Sequence, residues 1–131
     1  TIDAVLYIAA LHNIYGRNNR IKSLKEIKML LKKDSKAIIS VWSKFYDKFR
    51  KSFQNKYLYS KNIEFWDKKI LWKKDGLNIP RFYHLYGKKE FIEDLEEAGF
   101  KIKKVFGVKI KSEKYSDNYF AIVTKCPEKI N

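Results

Sequence analysis

The stretch Ile-Asp-Ala-Val-Leu-Tyr-Ile-Ala-Ala-Leu, residues 2–11, is almost continuously apolar and decides how the rest of the chain is interpreted. A strand that is covered on both faces, as in a parallel sheet flanked by helices, has this pattern. Residues 20–33 follow with apolar side chains at helical spacing, and residues 36–42 form a second apolar run. Strand, helix and strand in this order predict a βαβ unit.

Local signals predict where these elements begin and end. Asn18-Asn19 is expected to cap the helix, and Asp34-Ser35 is expected to break it before the second strand. The last predicted elements are a helix and the two strands of a hairpin, at 88–99, 100–111 and 119–126. The second strand of the hairpin is the more continuously apolar, so it should be the more buried of the two.

The stretch 44–75 interleaves lysines with aromatic residues and has no regular period. We interpret it as an irregular insertion, helical in part around 44–54, whose end is marked by Gly76 and Pro80. The chain is then a single partial domain made of a βαβ unit, a basic aromatic insertion, a substrate-side segment with the last helix and hairpin, and a tail, at 1–43, 44–80, 81–126 and 127–131.

Composition narrows the classes of function. The chain has 131 residues and a formal net charge of +14, which favours a polyanionic partner, with nucleic acid ahead of an anionic membrane surface. Its one cysteine, Cys126, excludes an internal disulfide framework and a cysteine-based zinc site. The apolar start is too short for a membrane span and has no basic lead-in, so we expect a soluble, cytoplasmic protein.

Three longer segments carry a resemblance to a known family: residues 8–14 (Ile-Ala-Ala-Leu-His-Asn-Ile), 38–42 (Ile-Ile-Ser-Val-Trp) and 79–86 (Ile-Pro-Arg-Phe-Tyr-His-Leu-Tyr). The order of elements resembles the second half of a class I S-adenosylmethionine-dependent methyltransferase, whose last strand inserts antiparallel between its neighbours. The three segments are similar to the wobble-uridine tRNA carboxymethyl methyltransferases. The expected fold is therefore α/β, a partial Rossmann-like methyltransferase sheet.

The resemblance implies an activity and partners. Enzymes of this family transfer a methyl group from S-adenosylmethionine to the carboxylate of 5-carboxymethyluridine at the anticodon wobble position. They act on tRNA and work with a small zinc-binding activator protein. By resemblance, Ala9, Ala10 and His12 line the cofactor or the substrate entrance, and Arg81 and His12 are the candidate catalytic residues.

The candidate substrate residues each have a structural alternative. Arg81 offers a planar fork for a carboxylate or a phosphate. Trp42 could wall the substrate pocket or pack in the core, and His12 could simply make a local hydrogen bond. Three aromatic residues could contact a flipped base or form a buried packing segment, namely Tyr83, His84 and Tyr86. The expected RNA contacts are Lys48, Arg50, Lys51, Lys56, Lys68, Lys69, Lys73 and Lys74.

The chain also departs from the family. The family has two histidines where this chain has His12-Asn13, and Lys33-Asp34-Ser35-Lys36 replaces a Lys-Pro-Gly-Gly turn. The five glycines, at 16, 76, 87, 99 and 107, form no glycine-rich cofactor loop. We therefore expect half of an enzyme, inactive alone, whose N-terminal half is supplied in cis or in trans. The alternatives are a methyltransferase for a small molecule and a non-catalytic RNA-binding remnant or subunit.

Overall fold

The computed structural model of the protein describes residues 2–46 and 66–125. Its regular elements are six strands, two α-helices and one short 3-10 helix. In chain order they are β1 (Ile2–Ile8), the 3-10 helix Leu11–Asn13, α1 (Arg17–Leu30), β2 (Leu31–Trp42), β3 (Asp67–Lys74), β4 (Leu77–His84), α2 (Lys88–Glu97), β5 (Phe100–Val108) and β6 (Asn118–Lys125). None of the helices in these two ranges is both long enough and apolar enough to cross a membrane.

The βαβ unit is confirmed, because β1 pairs parallel with β2 and α1 connects them. The predicted helix cap is wrong: α1 begins at Arg17, so Asn18-Asn19 lies within its first turn. Gly16 has a φ of 82°, a backbone conformation that suits glycine, and this turn starts the helix without any side-chain cap. The predicted break at Asp34-Ser35 is also wrong, because the helix ends at Leu30, β2 starts directly after it, and Asp34 lies inside β2 with a φ of 66°.

The main sheet has the strand order β1-β2-β6-β5. β6 is antiparallel to both of its neighbours, which confirms the expected insertion of the last strand. β6 is also more buried than β5, as predicted. The alternation of β5 is imperfect because its register shifts between Ile102 and Lys104, where an extra residue bulges from the strand.

Both helices pack on the same face of this sheet. Ile39 and Val41 of β2 are fully buried there, in one core with Leu24 of α1 and with Phe91 and Leu95 of α2. Successive side chains along each strand point to opposite faces of the sheet, so the residues between these core positions lie on the second face. On that second face Leu6 is 71% exposed and Ile8 is 46% exposed. An apolar sheet face is therefore left open beside β1, the edge strand of the described sheet.

The last part of the predicted insertion forms regular strands, which corrects the interpretation of residues 67–75 as irregular. β3 and β4 form an antiparallel two-stranded sheet in which Lys74 pairs with Leu77. Asp75 and Gly76 connect the strands with φ values of 53° and 76°, as a tight two-residue hairpin turn requires. Pro80 lies inside β4, where an edge strand tolerates it, and β4 runs across the predicted boundary between 80 and 81. The predicted helix around 44–54 falls mostly outside the described residues.

Candidate functional site

The carboxyl ends of β1 and β2 lie side by side, at the edge where open α/β sheets bind ligands. Ala9 follows β1 with a φ of 52°, a strained conformation for a residue with a side chain. The Ala9 amide donates to the Ser40 carbonyl at 3.2 Å, and the Asn13 side-chain amide donates to the Ala9 carbonyl at 3.3 Å. The sharp bend at the end of β1 is thus held by hydrogen bonds on both sides.

A cavity of about 250 Å³ opens at this edge, on the sheet face away from the helices. Its walls come from the ends of β1 and β2, the start of β6 and the segment after β5. The lining residues are Ile8, Ala9, Ser40, Trp42, Tyr46, Ile110, Lys111, Asn118 and Phe120. Two predicted residues, Ala9 and Trp42, therefore line one cavity, while Ala10 lies next to it along the chain.

Three of the predicted residues form a cluster of rings. The Trp42 and Tyr83 rings lie parallel, with centroids 4.7 Å apart and planes at 7°. The His12 ring lies 4.8 Å from Trp42 and 5.5 Å from Tyr83. His12 and Tyr83 are buried, while Trp42 is only partly buried. The structure thus brings together residues that are 30 and 41 positions apart along the chain.

The hydrogen bond of His12 fixes its tautomer. The Trp42 backbone amide donates to His12 Nδ1 at 3.0 Å, so the ring proton of neutral His12 is on Nε2. Burial, with a smaller contribution from the nearby His84, lowers the pKa of His12 to about 4. His12 is therefore a neutral ring whose Nδ1 is already used. These contacts favour the structural alternative, in which His12 ties the end of β1 to the end of β2.

His84 is buried between two carboxylates. Its Nδ1 lies 2.7 Å from Asp67 Oδ1, and its Nε2 lies 2.9 Å from Glu90 Oε2. Burial alone would lower the pKa of His84, but the hydrogen bonds to Asp67 and Glu90 outweigh it and raise the pKa to about 9. His84 is thus an imidazolium at neutral pH with both nitrogens engaged. These contacts favour packing over contact with a substrate base.

Tyr86 is fully buried in the helix-covered core. Its hydroxyl donates to Asp94 Oδ2 at 2.9 Å, and burial together with the Asp94 carboxylate raises the pKa of Tyr86. The buried Arg20 guanidinium lies 5.7 Å from the centroid of the Tyr86 ring. For Tyr86, too, the contacts favour the packing alternative.

Arg81 lies on β4 two residues before Tyr83 and is exposed. Side chains two apart on a strand share a face, so Arg81 lies on the same face of the hairpin as Tyr83. In register, Lys68 of β3 pairs directly with Tyr83. The face of the hairpin that meets Trp42 therefore carries two cations, Arg81 and Lys68.

The predicted RNA contacts divide into four groups. Lys68 is only 3% exposed, which corrects its expected place on the surface, and burial lowers its pKa. Lys69 is exposed, on the other face of β3. Lys73 and Lys74 belong to the same strand. The remaining four lie outside the described residues, namely Lys48, Arg50, Lys51 and Lys56.

Sequence reasoning missed the buried charges that hold the helices to the site. Asp94 accepts from Arg17 Nε at 3.0 Å as well as from Tyr86. Its position on the buried stripe, between Phe91 and Leu95, was a visible signal for a buried acid. Asp67 and Glu90 gave no such signal, because only the fold brings them to either side of one ring.

The sequence is similar to that of one curated protein. Over 108 residues the sequence is 29% identical to a protein of Encephalitozoon cuniculi that carries the name "Putative methyltransferase". The match covers 78% of this chain and 46% of that protein, so the chain spans about half the length of this curated relative. No protein-family model matches the sequence.

Solved structures match nearly the whole chain. An S-adenosylmethionine-dependent methyltransferase from Methanosarcina mazei superimposes with a TM-score of 0.76 at 17% identity, over 97% of this chain and 60% of that one. One from Clostridium acetobutylicum gives 0.73 at 14% identity, over 97% and 59%. The 1,6-didemethyltoxoflavin-N1-methyltransferase of Burkholderia thailandensis gives 0.61 at 18% identity, over 95% and 44%. The chain therefore has the α/β, Rossmann-like fold of part of a class I S-adenosylmethionine-dependent methyltransferase.

Proposed function

We propose that this chain is the substrate-binding part of an S-adenosylmethionine-dependent methyltransferase acting on the carboxylate of 5-carboxymethyluridine at the tRNA wobble position. The observation that carries the proposal is the stack of Trp42 on Tyr83, which adjoins the end of β1 on a methyltransferase fold. Arg81 lies on the same face of the hairpin as Tyr83. The net charge of +14 supports a polyanionic substrate over a small neutral one.

We propose S-adenosylmethionine as the cofactor; the Burkholderia enzyme, for comparison, holds S-adenosylhomocysteine. The cavity at Ala9 and Ser40 has a volume of about 250 Å³. Pockets for complete small-molecule ligands typically measure about 300–1,000 Å³, so this cavity suits one end of the cofactor. Ala9 and Trp42, which line the cavity beside Ala10, would hold that end, and when bound the cofactor would supply an activated methyl group. The main binding loop would belong to the other half.

The chemistry needs little from side chains. A carboxylate is ionised at neutral pH and needs no general base, so the site must align the reacting atoms and exclude water. Trp42, with the buried Tyr83 ring packed against it, provides an apolar wall that does both. Arg81 would orient one carboxylate oxygen or hold the adjacent phosphate, because clamping both oxygens would weaken the nucleophile. His12 acts indirectly, by fixing the backbone of Trp42.

We further propose that the cofactor-binding half, supplied in cis or in trans, packs on the open sheet face at Leu6 and Ile8. Parallel sheets are normally covered on both faces, whereas this face is substantially exposed beside β1. The matched region covers only 59–60% of the length of these two solved neighbours, so both extend well beyond it. The proposed small zinc-binding activator rests on the resemblance, and co-purification with the complete protein tests it.

The test uses the complete protein, labelled S-adenosylmethionine and tRNA that carries 5-carboxymethyluridine. A hydrogen bond to a charged group contributes about 1.5–3 kcal/mol, so Arg81→Ala should slow transfer roughly tenfold to a hundredfold and spare cofactor binding. Lys101→Ala removes an exposed charge on the distant β5 and serves as the matched control. Equal turnover by the Arg81 and Lys101 variants would remove Arg81 from the site. No transfer to this tRNA by the wild type would refute the substrate.

The second candidate is a methyltransferase for a small molecule. The Burkholderia neighbour favours it, since its structure contains 1,6-didemethyltoxoflavin. Competition separates the two candidates. A small acid that is methylated at the same rate with and without excess tRNA would support the second candidate, whereas a tRNA-specific reaction supports the first.

A further inference from the structure

A second cavity lies at the same edge of the sheet but on its helix-covered side. It measures about 490 Å³, which is large enough for a nucleotide-sized ligand. Its walls come from the residues after β2, the residue before β3 and the first turn of α2. Three lysines and three aromatic rings dominate the lining: Lys44, Lys88, Lys89, Phe45, Trp66 and Tyr119. None of these residues belongs to the Arg81 site.

Lys44 is held at the wall of this cavity by aromatic rings. Its Nζ lies 5.3 Å from the centroid of Phe45 and 5.5 Å from that of Trp66, which are cation–π distances. Gly87 gives the ammonium its space, because a Cβ added there would lie 3.2 Å from Lys44 Nζ. Gly87 has an ordinary φ of −84°, so room for Lys44, and not backbone strain, distinguishes glycine from alanine at this position.

The two acids in the lining already face cations. Glu90 binds the His84 imidazolium, with 2.9 Å between the Glu90 Oε2 and His84 Nε2 atoms. Glu93 lies 4.0 Å from Lys89 Nζ. The described contacts of Lys44 are with rings and not with a carboxylate. The cavity therefore presents cations beside an aromatic surface, and Phe45 is 41% exposed.

Cations for the backbone and aromatic faces for the bases are what proteins use to bind single-stranded nucleic acid. We propose that this cavity binds one nucleotide of single-stranded RNA, with Lys44 and Lys88 on its phosphate and the base against Phe45. Trp66 packs in one cluster with Trp42, so the cavity lies one layer of side chains from the Trp42 ring. The proposal extends the proposed function, since an anticodon loop must place other nucleotides close to the one that is modified.

The experiment measures fluorescence anisotropy of the complete protein with a labelled, unmodified single-stranded RNA about ten nucleotides long. Loss of one phosphate contact should weaken binding several-fold and reduce the salt slope by about 0.7. We expect this for Lys44→Gln and for Lys88→Gln, and a loss of at least about fivefold for Phe45→Leu, which removes stacking. Gly87→Ala keeps every charge and requires the Lys44 ammonium to shift by only a few tenths of an ångström, so it should weaken binding less than Lys44→Gln does.

Lys101→Gln is the matched control, an exposed lysine of β5 outside the cavity. If Lys44→Gln, Lys88→Gln and Phe45→Leu all bind RNA as the control does, the inference is overturned. The inference would also be overturned if the cavity variants lost more affinity for an acidic peptide than for RNA, because the cavity would then be a protein-binding site. The Arg81 site is tested separately by methyl transfer. RNA binding that depends on the cavity, without any transfer to 5-carboxymethyluridine, would refute the substrate and leave this inference standing.

Discussion

The two histidines should titrate far apart and in opposite directions from the ordinary value of 6.5. His12 has a pKa of about 4 because it is buried and close to His84. His84 has a pKa of about 9 because its hydrogen bonds to Asp67 and Glu90 outweigh its burial. Each shift is about 2.5 pH units, which corresponds to about 3 kcal/mol of unfolding free energy.

The sign of each contribution follows from the direction of the shift. The pKa of His84 is raised in the folded protein, so its contribution to stability is complete below pH 6.5 and is lost as pH rises through 9. The pKa of His12 is lowered, so its contribution is complete above pH 6.5 and is lost as pH falls through 4. As far as these two residues are concerned, the protein is most stable near pH 6.5.

The chain contains only two histidines, so NMR of their ring protons gives two titration curves without ambiguity. Urea unfolding between pH 3 and 10 gives the corresponding free energies. Glu90→Gln is the matched variant: it should lower the pKa of His84, because a carboxylate partner is lost, and leave that of His12 low. Titration of both rings between pH 6 and 7 would refute the buried ion network and the neutral His12 together.

Two further substitutions test the hairpin and the start of β2. Asp34→Gly should raise the unfolding free energy by about 0.5 kcal/mol, because glycine adopts the φ of 66° without a strained side chain; a lower thermal midpoint would contradict this. Lys68→Ala should cost about 1–2 kcal/mol in urea unfolding, since its aliphatic stem is buried, whereas its exposed neighbour Lys69→Ala should change stability by less than about 0.5 kcal/mol. Equal effects of the two lysine substitutions would mean that β3 presents its other face to the protein.

The parts of the fold that were predictable are those with a long-range pattern in the sequence. The continuous apolar run at 2–11 predicted a parallel strand, and its pairing with β2 follows from the helix between them. The hairpin β3–β4 was missed although Asp75-Gly76 is a strong turn signal. The dense lysines and aromatic residues of 44–75 hid it, since they removed the apolar alternation that normally flanks such a turn.

The site was predictable to the level of segments but not of side chains. The sequence offers Trp42 and Tyr83 as aromatic candidates, but it does not say that their rings stack on one another. His84 and Tyr86 lie in the same motif as Tyr83, yet His84 is ion-paired with Asp67 of β3 and Glu90 of α2, and Tyr86 donates a hydrogen bond to Asp94 of α2. Because side chains alternate along a strand, Tyr83 contacts Trp42 while its neighbour His84 points to the opposite face. Only the packing of α2 decides which of these faces is buried.

The position of β6 has a consequence for how the chain folds. Within the described residues β5 joins the sheet only through β6, and β2 meets β6 across some 80 intervening positions, with Trp42 opposite Asn118. Contacts between such distant residues form slowly, because a long loop must close before they can stabilise anything. During synthesis the sheet therefore stays in two pieces until residues 118–125 emerge. Premature termination just before Asn118 should release an aggregation-prone chain for proteolysis, whereas termination after Lys125 should leave the sheet intact.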